Sequence, residues 1–218
     1  VNLNRPKIEN NQIRRLGRDG RIVAVAGSGV QGSAGDGGVA LQAELNRPRA
    51  VAVDRNQLFI ADSGNYRVRV VNLDTGIIAP YAGQGVAGFT GDGGSARNAR
   101  FRSLAFITLD PQGNLLVSDQ IDHRVRRVDR QSGVITTFAG NGARGDSTDG
   151  SGAASAPLNF PEGLAAETNG SVYIANRGNS RVLRVDPTGN VWHFAGRTVP
   201  GHYYGDDVPA IWATMLDP

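Results

Sequence analysis

No cysteine occurs among the 218 residues. Disulfide bridges and thiolate metal sites are therefore excluded, and the redox compartment leaves no mark on the sequence. Lysine is nearly absent as well. Lys7 is the one lysine among 23 basic residues, and the other 22 are arginines scattered along the chain without a basic run. With 20 acidic residues the formal net charge is only +3. Such a dispersed set reads as solvated surface, not as the concentrated basic face of a nucleic-acid binder. Long apolar runs are missing, so no segment can cross a membrane as a helix, and no secretory signal is apparent. The chain starts at Val1 and not at methionine, from which we expect a processed or partial product.

Glycine, by contrast, is abundant, at 30 residues. Residues 23–32, VAVAGSGVQG, place Gly27, Gly29 and Gly32 in the pattern G-x-G-x-x-G. That pattern can mark a dinucleotide-binding loop, which occurs once per binding unit and opens a long helix. Here it recurs at Gly83, Gly85 and Gly88 and again at Gly140, Gly142 and Gly145, and a fourth copy keeps only Ala195-Gly196. The Ala-Gly pairs are spaced by 56, 57 and 56 residues. More glycines follow each copy (GDGG at 35–38 and 91–94, TDGSG at 148–152) and forbid a helix there. The glycines are therefore read as turns needing positive φ, and no nucleotide cofactor is expected.

One repeat resolves into four short strands: AVAVD (50–54), QLFIAD (57–62), YRVRVVN (66–72) and IIAPYAG (77–83). The third alternates polar and apolar residues, as a half-buried strand should. Pro80 assigns the fourth to a sheet edge, because proline cannot donate to a ladder. The pattern returns at 104–140 and 163–196, with Val51, Ile107 and Leu164 in register and Arg67, Arg124 and Arg181 likewise. A four-stranded meander cannot bury both faces alone, so the copies must stack.

Pro-x-x-V-A-V-D, L-F-I-A-D and N-x-R-V-R-x-V resemble the NHL repeat, and the GDGG-x-A-x-x-A-x-L segments resemble linkers of bacterial NHL-repeat proteins and of the teneurin NHL propeller. The resemblance runs from about Asn11 to Pro218. It implies an all-β, NHL-type β-propeller with four-stranded antiparallel blades of about 56 residues. As presented it would be incomplete: three whole blades at 49–104, 105–161 and 162–218, each with its linker, and a partial blade and linker at 1–48, all in one propeller region, 1–218. Leu3-Asn4-Arg5-Pro6 matches the blade-opening LNRP at 45–48 but lies too close to the strand after it, so a strand pair is expected to be degenerate or missing there.

In the linkers, Ala40 and Ala43, Ala96 and Ala99, Ala153 and Ala156, and Ala210 and Ala213 are three apart and can share one face of a helical turn packed between blades. Asp36, Asp92, Asp149 and Asp206 precede them, where we expect N-caps. Structural calcium is the alternative for these aspartates, but one carboxylate per linker falls short of six to eight oxygens.

Catalytic residues and a metal site are not expected. His123, His193 and His202 show no ligand spacing, and the resemblance to metal-holding lyases of this fold would need histidines on inner strands. Asp62 and Asp119 recur with Arg67 and Arg124, which reads as a turn acceptor tied to an arginine. Arg144-Gly145-Asp146 spells R-G-D, a tripeptide common by chance. Departures from the repeat nominate the binding residues: Phe89, Arg144, His202, Tyr203, Tyr204 and Trp212. The expected function is a non-enzymatic structural or interaction module, extracellular or at the cell surface. It would engage a protein partner or another copy of itself through loops and open blade edges. The alternatives are an enzyme with its site in the central channel and an RNA-binding NHL domain.

Overall fold

The structure, a computed structural model, describes residues 10–197, 207–215 and 218. Every regular element is a strand or a short 3-10 turn. Two strands, β1 (Ile13–Leu16) and β2 (Ile22–Ala26), form an antiparallel pair. The first four-stranded sheet follows: β3 (Pro48–Asp54), β4 (Gln57–Asp62), β5 (Arg67–Asn72) and β6 (Ile78–Ala82). The second comprises β7 (Leu104–Leu109), β8 (Leu115–Asp119), β9 (Arg124–Val128) and β10 (Ile135–Ala139). A two-residue strand, β11 (Ser151–Gly152), then joins the third sheet, made of β12 (Pro161–Ala166), β13 (Val172–Asn176), β14 (Arg181–Val185) and β15 (Asn190–Ala195). Each sheet is an antiparallel meander, the β-propeller blade that the sequence implied, and β1 and β2 correspond to the two outer strands of one.

Successive sheets pack face to face, and the linkers are wedged between them. Ala96, Ala99 and Phe101 share one core with Phe59, Ala61 and Val68 of the first sheet and Ile107, Val117 and Val128 of the second. Ala153, Ala156 and Leu158 do the same between the second and third. Ala40, Ala43 and Leu45 lie between the β1–β2 pair and the first sheet. The alanines sit in 3-10 turns at Ala40–Gln42, Ala96–Asn98, Ala153–Ser155 and Ala210–Trp212. Their small side chains let two sheets approach.

The glycine motif now has its physical account. The N–H groups of Gly27, Gly83, Gly140 and Gly196 donate to the carbonyls of Ala40, Ala96, Ala153 and Ala210 at 2.8–2.9 Å. These glycines have φ of 84–91°, and a Cβ on Gly83 would lie 2.6 Å from the Tyr66 carbonyl oxygen. The turn reading holds because only glycine accepts both that φ and that approach.

Two expectations are corrected. Asp36, Asp92 and Asp149 are not N-caps: the residues preceding the 3-10 turns are Val39, Ser95 and Gly152, and none makes a side-chain cap. The third strand of the first sheet is not half solvated, because Arg69 is wholly buried, as is Arg126 in the second sheet. The two corrections have one cause. Asp36 Oδ1 meets Arg69 Nη2 at 2.6 Å, and Asp92 Oδ1 meets Arg126 Nη2 at 2.7 Å. Each of these two linkers is thus pinned by its aspartate to the sheet it leads into. The linker also extends that sheet: Gly37 N–H donates to Ile78 O and Ile78 N–H to Gly38 O. The outer edges of the three larger sheets are covered in this way and are not open as the sequence suggested, which blunts their tendency to pair with other chains.

Candidate interaction surface

The inner strands β3, β7 and β12 all begin at one end of the molecule, and that end is built by a repeated hydrogen-bond frame. Asn46 N–H donates to Asp62 Oδ1 at 2.7 Å, and Asn65 Nδ2 donates to Asp62 Oδ2 at 2.8 Å. In the third sheet Asn159 N–H donates to Asn176 Oδ1 at 2.7 Å, and Asn159 Nδ2 to Asn179 Oδ1 at 2.7 Å. The second sheet varies the theme. Asp119 accepts both Arg102 and Ser103 N–H, and an ion pair, Arg102 Nε to Asp122 Oδ1 at 3.2 Å, replaces the asparagine pair. Burial pushes Asp119 up to about 6, against the pull of those two N–H groups, and burial also raises Asp62. Arg67 lies 3.6 Å from Asp62, so the expected arginine tie is present there. Arg124 instead donates to the carbonyls of Asp122 and Asn141.

A second set of contacts stitches neighbouring sheets. Asn11, Tyr66, His123 and Ser180 hold one equivalent position, each with φ between 36° and 53°. Asn11 Oδ1 accepts Arg47 N–H at 3.0 Å, and His123 Nδ1 accepts Phe160 N–H at 3.1 Å. Burial, followed by the nearby Arg144, lowers the His123 pKa, in keeping with a neutral ring whose Nδ1 is an acceptor.

The sequence-nominated residues fall in different settings. Phe89 is half-buried, with the Arg124 guanidinium 3.9 Å and the Arg126 guanidinium 4.8 Å from its ring centre. Arg144 is exposed at the same end, 5.7 Å from the Phe160 ring. The rest of its R-G-D is engaged: Gly145 N–H donates to Leu158 O, and Asp146 pairs with Arg181 at 2.7 Å. Trp212 closes the last 3-10 turn and is 62% exposed. His202, Tyr203, Tyr204 and Asp206 lie outside the described residues. His193 sits among Asp146, Asp149 and Arg181, a cluster the sequence did not bring together.

Arg47, Arg49, Ile121 and Arg144 project from this frame in exposed positions. Reading strand by strand, the sites of Arg47 and Arg49 are taken by Ser103 and Ala105 in the second sheet and by Phe160 and Glu162 in the third. Below the rim, the inner strands line a trough of about 460 Å³ with Val51, Val53, Phe106, Thr108, Leu109 and Ala165. Thr108 is the one polar side chain in that lining, beside exposed backbone. Among the described residues no three His, Cys, Asp or Glu side chains converge as a metal site would require, and no helix is long and apolar enough to cross a membrane.

Comparison with known proteins matches this architecture. The NHL repeat matches residues 45–71 and 158–185. NHL repeat-containing protein 2 of Bos taurus is 32% identical over 136 residues, covering 59% of this chain and 19% of that protein. Teneurin-m of Drosophila melanogaster is 29% identical, covering 56% of this chain and 5% of the relative. The chain thus spans only a small part of the curated relatives it matches. Among solved structures, an auxiliary nutrient binding protein from Bacteroides thetaiotaomicron superposes with a TM-score of 0.63 at 17% identity, over 96% of this chain and 47% of the other. Virginiamycin B lyase from Staphylococcus aureus gives 0.52 at 14% identity, over 89% and 51%. Such identities show the fold alone.

Proposed function

We propose that this chain of NHL repeats is a non-enzymatic interaction module that recognises a protein partner through the rim where its inner strands begin. One observation carries the reading: the rim sets unlike exposed side chains on a frame that repeats. Asp36, Asp62, Asp92 and Asp119 are all engaged with backbone N–H groups or arginines of the frame. The exposed side chains at the rim change from sheet to sheet, among them Arg49, Ile121 and Arg144. A rigid scaffold with variable loop residues is what selective protein recognition uses. Catalysis in the trough would need acid, base or metal chemistry where the lining is Val51, Val53, Phe106 and Leu109. RNA binding would need a concentrated basic face, yet Arg67, Arg69, Arg124, Arg126 and Arg181 are held by the frame, and the exposed arginines of the rim are dispersed among apolar and acidic neighbours.

The test is crosslinking capture with quantitative mass spectrometry, comparing wild type with Arg49→Glu, Ile121→Glu and Arg144→Glu. Arg55→Glu, exposed at the opposite end of the inner strand, is the control. A specific partner should be depleted at least tenfold by one or more rim variants and retained by the control. Identical capture by all four would sink the reading.

A further inference from the structure

Six Asn-Gly or Asp-Gly pairs lie in the described residues, at 19–20, 36–37, 92–93, 141–142, 149–150 and 169–170. In such a pair the glycine nitrogen can attack the preceding side-chain carbonyl carbon, because no Cβ shields it and its backbone turns freely. The attack needs that nitrogen unengaged. Gly20, Gly37, Gly93, Gly150 and Gly170 each donate the N–H to a carbonyl, at 2.8–3.0 Å. Gly142 N–H has no acceptor among the described residues.

That freedom belongs to the repeat. The loop after each outer strand holds Gly29, Gly85 and Gly142 at φ of 82–89°, and none of the three donates its N–H to a described residue. The residue before the glycine is Ser28, Gln84 or Asn141, and of these only asparagine closes a five-membered ring onto the nitrogen. Asn141 is exposed on the loop between the second and third sheets, both of which the chain supplies whole.

Asn169 is an internal control, because its carboxamide is held as that of Asn141 is. Each Oδ1 accepts the N–H two residues on, from Ala143 at 2.8 Å and from Ser171 at 2.7 Å. Each Nδ2 donates once at 2.9 Å, to Ser155 O and to Glu167 Oε2. These turns fold each side chain back over the peptide that follows it. Two things differ. Gly170 N–H is tied to Glu167 O, and Gly142 N–H is free of any such bond. The carbonyl oxygen of Asn141 also accepts Arg124 Nη2 at 2.6 Å. A guanidinium on that oxygen stabilises negative charge in the 141–142 peptide and so makes its N–H more acidic.

We propose that Asn141 is a site of spontaneous deamidation in the folded protein, while Asn169 is protected by the fold. Gly142 N–H gives its proton to solvent base. The nitrogen bonds to Asn141 Cγ, the Cγ–Nδ2 bond breaks, and Nδ2 leaves as ammonia with a proton from water. Water then opens the succinimide. Cleavage at the Cγ–N bond leaves aspartate, and cleavage at the main-chain carbonyl leaves isoaspartate, with the chain rerouted through the side chain. Nothing is oxidised or reduced. The product carries a new carboxylate beside Arg124 and has lost the Nδ2 bond to Ser155 of the linker turn. This chemistry is independent of the rim reading.

The test is incubation of the 218-residue chain at mildly alkaline pH, folded and unfolded in guanidinium chloride. Peptide mapping by mass spectrometry, with fragmentation that separates isoaspartate from aspartate, gives the rate at each site. Unfolded, the two Asn-Gly pairs should convert at similar rates. Folded, Asn141 should convert to a mixture containing isoaspartate at least about fivefold faster than Asn169, the factor that one backbone hydrogen bond of ordinary net strength imposes. Gln84→Asn places the same pair in the loop after the first sheet, where Arg67 donates to Asp36 and Ser33 instead of the preceding carbonyl. Position 84 should then convert faster than Asn169 in the same molecule. Conversion of Asn169 as fast as Asn141 in the folded chain would overturn the proposal. So would an Asn141 that stays intact while the unfolded chain converts, or a position 84 as protected as Asn169.

Discussion

Asp119 and Gly83 show what a single position contributes. Asp119 has no exposed surface, and burial holds its pKa near 6, well above that of an unfolded aspartate. The folded chain therefore keeps this proton to higher pH than the unfolded chain does. Stability is then highest below the unfolded pKa near 4 and falls as pH rises through 6, by on the order of 1–3 kcal/mol. Asp119→Asn removes that slope, and Asn176 shows that an asparagine oxygen can hold the equivalent N–H. Chemical denaturation from pH 4 to 7 should show the stability of Asp119→Asn relative to wild type rising across the window; a flat difference would contradict the assignment. Gly83 makes a steric prediction. Gly83→Ala should cost more than Gly76→Ala by about 1–3 kcal/mol. Both have positive φ, but only Gly83 faces a carbonyl at contact distance, while Gly76 opens to solvent. Equal losses of stability in the two variants would refute the close-approach account of the motif.

At the scale of elements, the linker is as structural as the strands it joins. Its alanines fill the seam, its glycines extend the outer ladder, and in the first two linkers its aspartate neutralises a wholly buried arginine. Asp92→Asn leaves Arg126 buried without its countercharge and should cost about 3 kcal/mol in denaturant unfolding. In an Arg126→Leu background the same change should cost under about 1 kcal/mol. Leu183 occupies that position in the third sheet, where Asp149 accepts His193 N–H instead. Equal costs in the two backgrounds would show that the pair is not coupled. This coupling was open to the sequence, since Asp36 to Arg69 and Asp92 to Arg126 recur at nearly the same spacing. Proximity to a helical turn made a cap the simpler expectation, and local reasoning cannot see a partner more than thirty residues away. The strands were legible because alternation and turn glycines are local signals. The rim was not, because asparagines and aspartates that organise backbone look the same in sequence as those that bind ligands. Arg144 and Trp212 stood out as departures from the repeat and are exposed, and Phe89 stood out equally but lies against two arginines of the frame.

For the whole molecule, the decisive fact is that cores lie between sheets and not within them. Phe101, fully buried, belongs to a cluster drawn from both the first and the second four-stranded sheets. Phe101→Ala should therefore cost about 3–5 kcal/mol, and the loss should be shared across that seam. Hydrogen exchange should show faster opening of β3–β6 and β7–β10 together, with β12–β15 less affected, since stability in stacked repeats passes between nearest neighbours. Val53→Ala, at a 59% exposed site on the first sheet's rear face, should change little. If Phe101→Ala deprotected only the second sheet, each sheet would be stable on its own and the seam would merely hold finished units together. Deprotection on both sides of the seam instead makes every junction part of the folding unit, so that no sheet reaches its full stability before the next has packed against it.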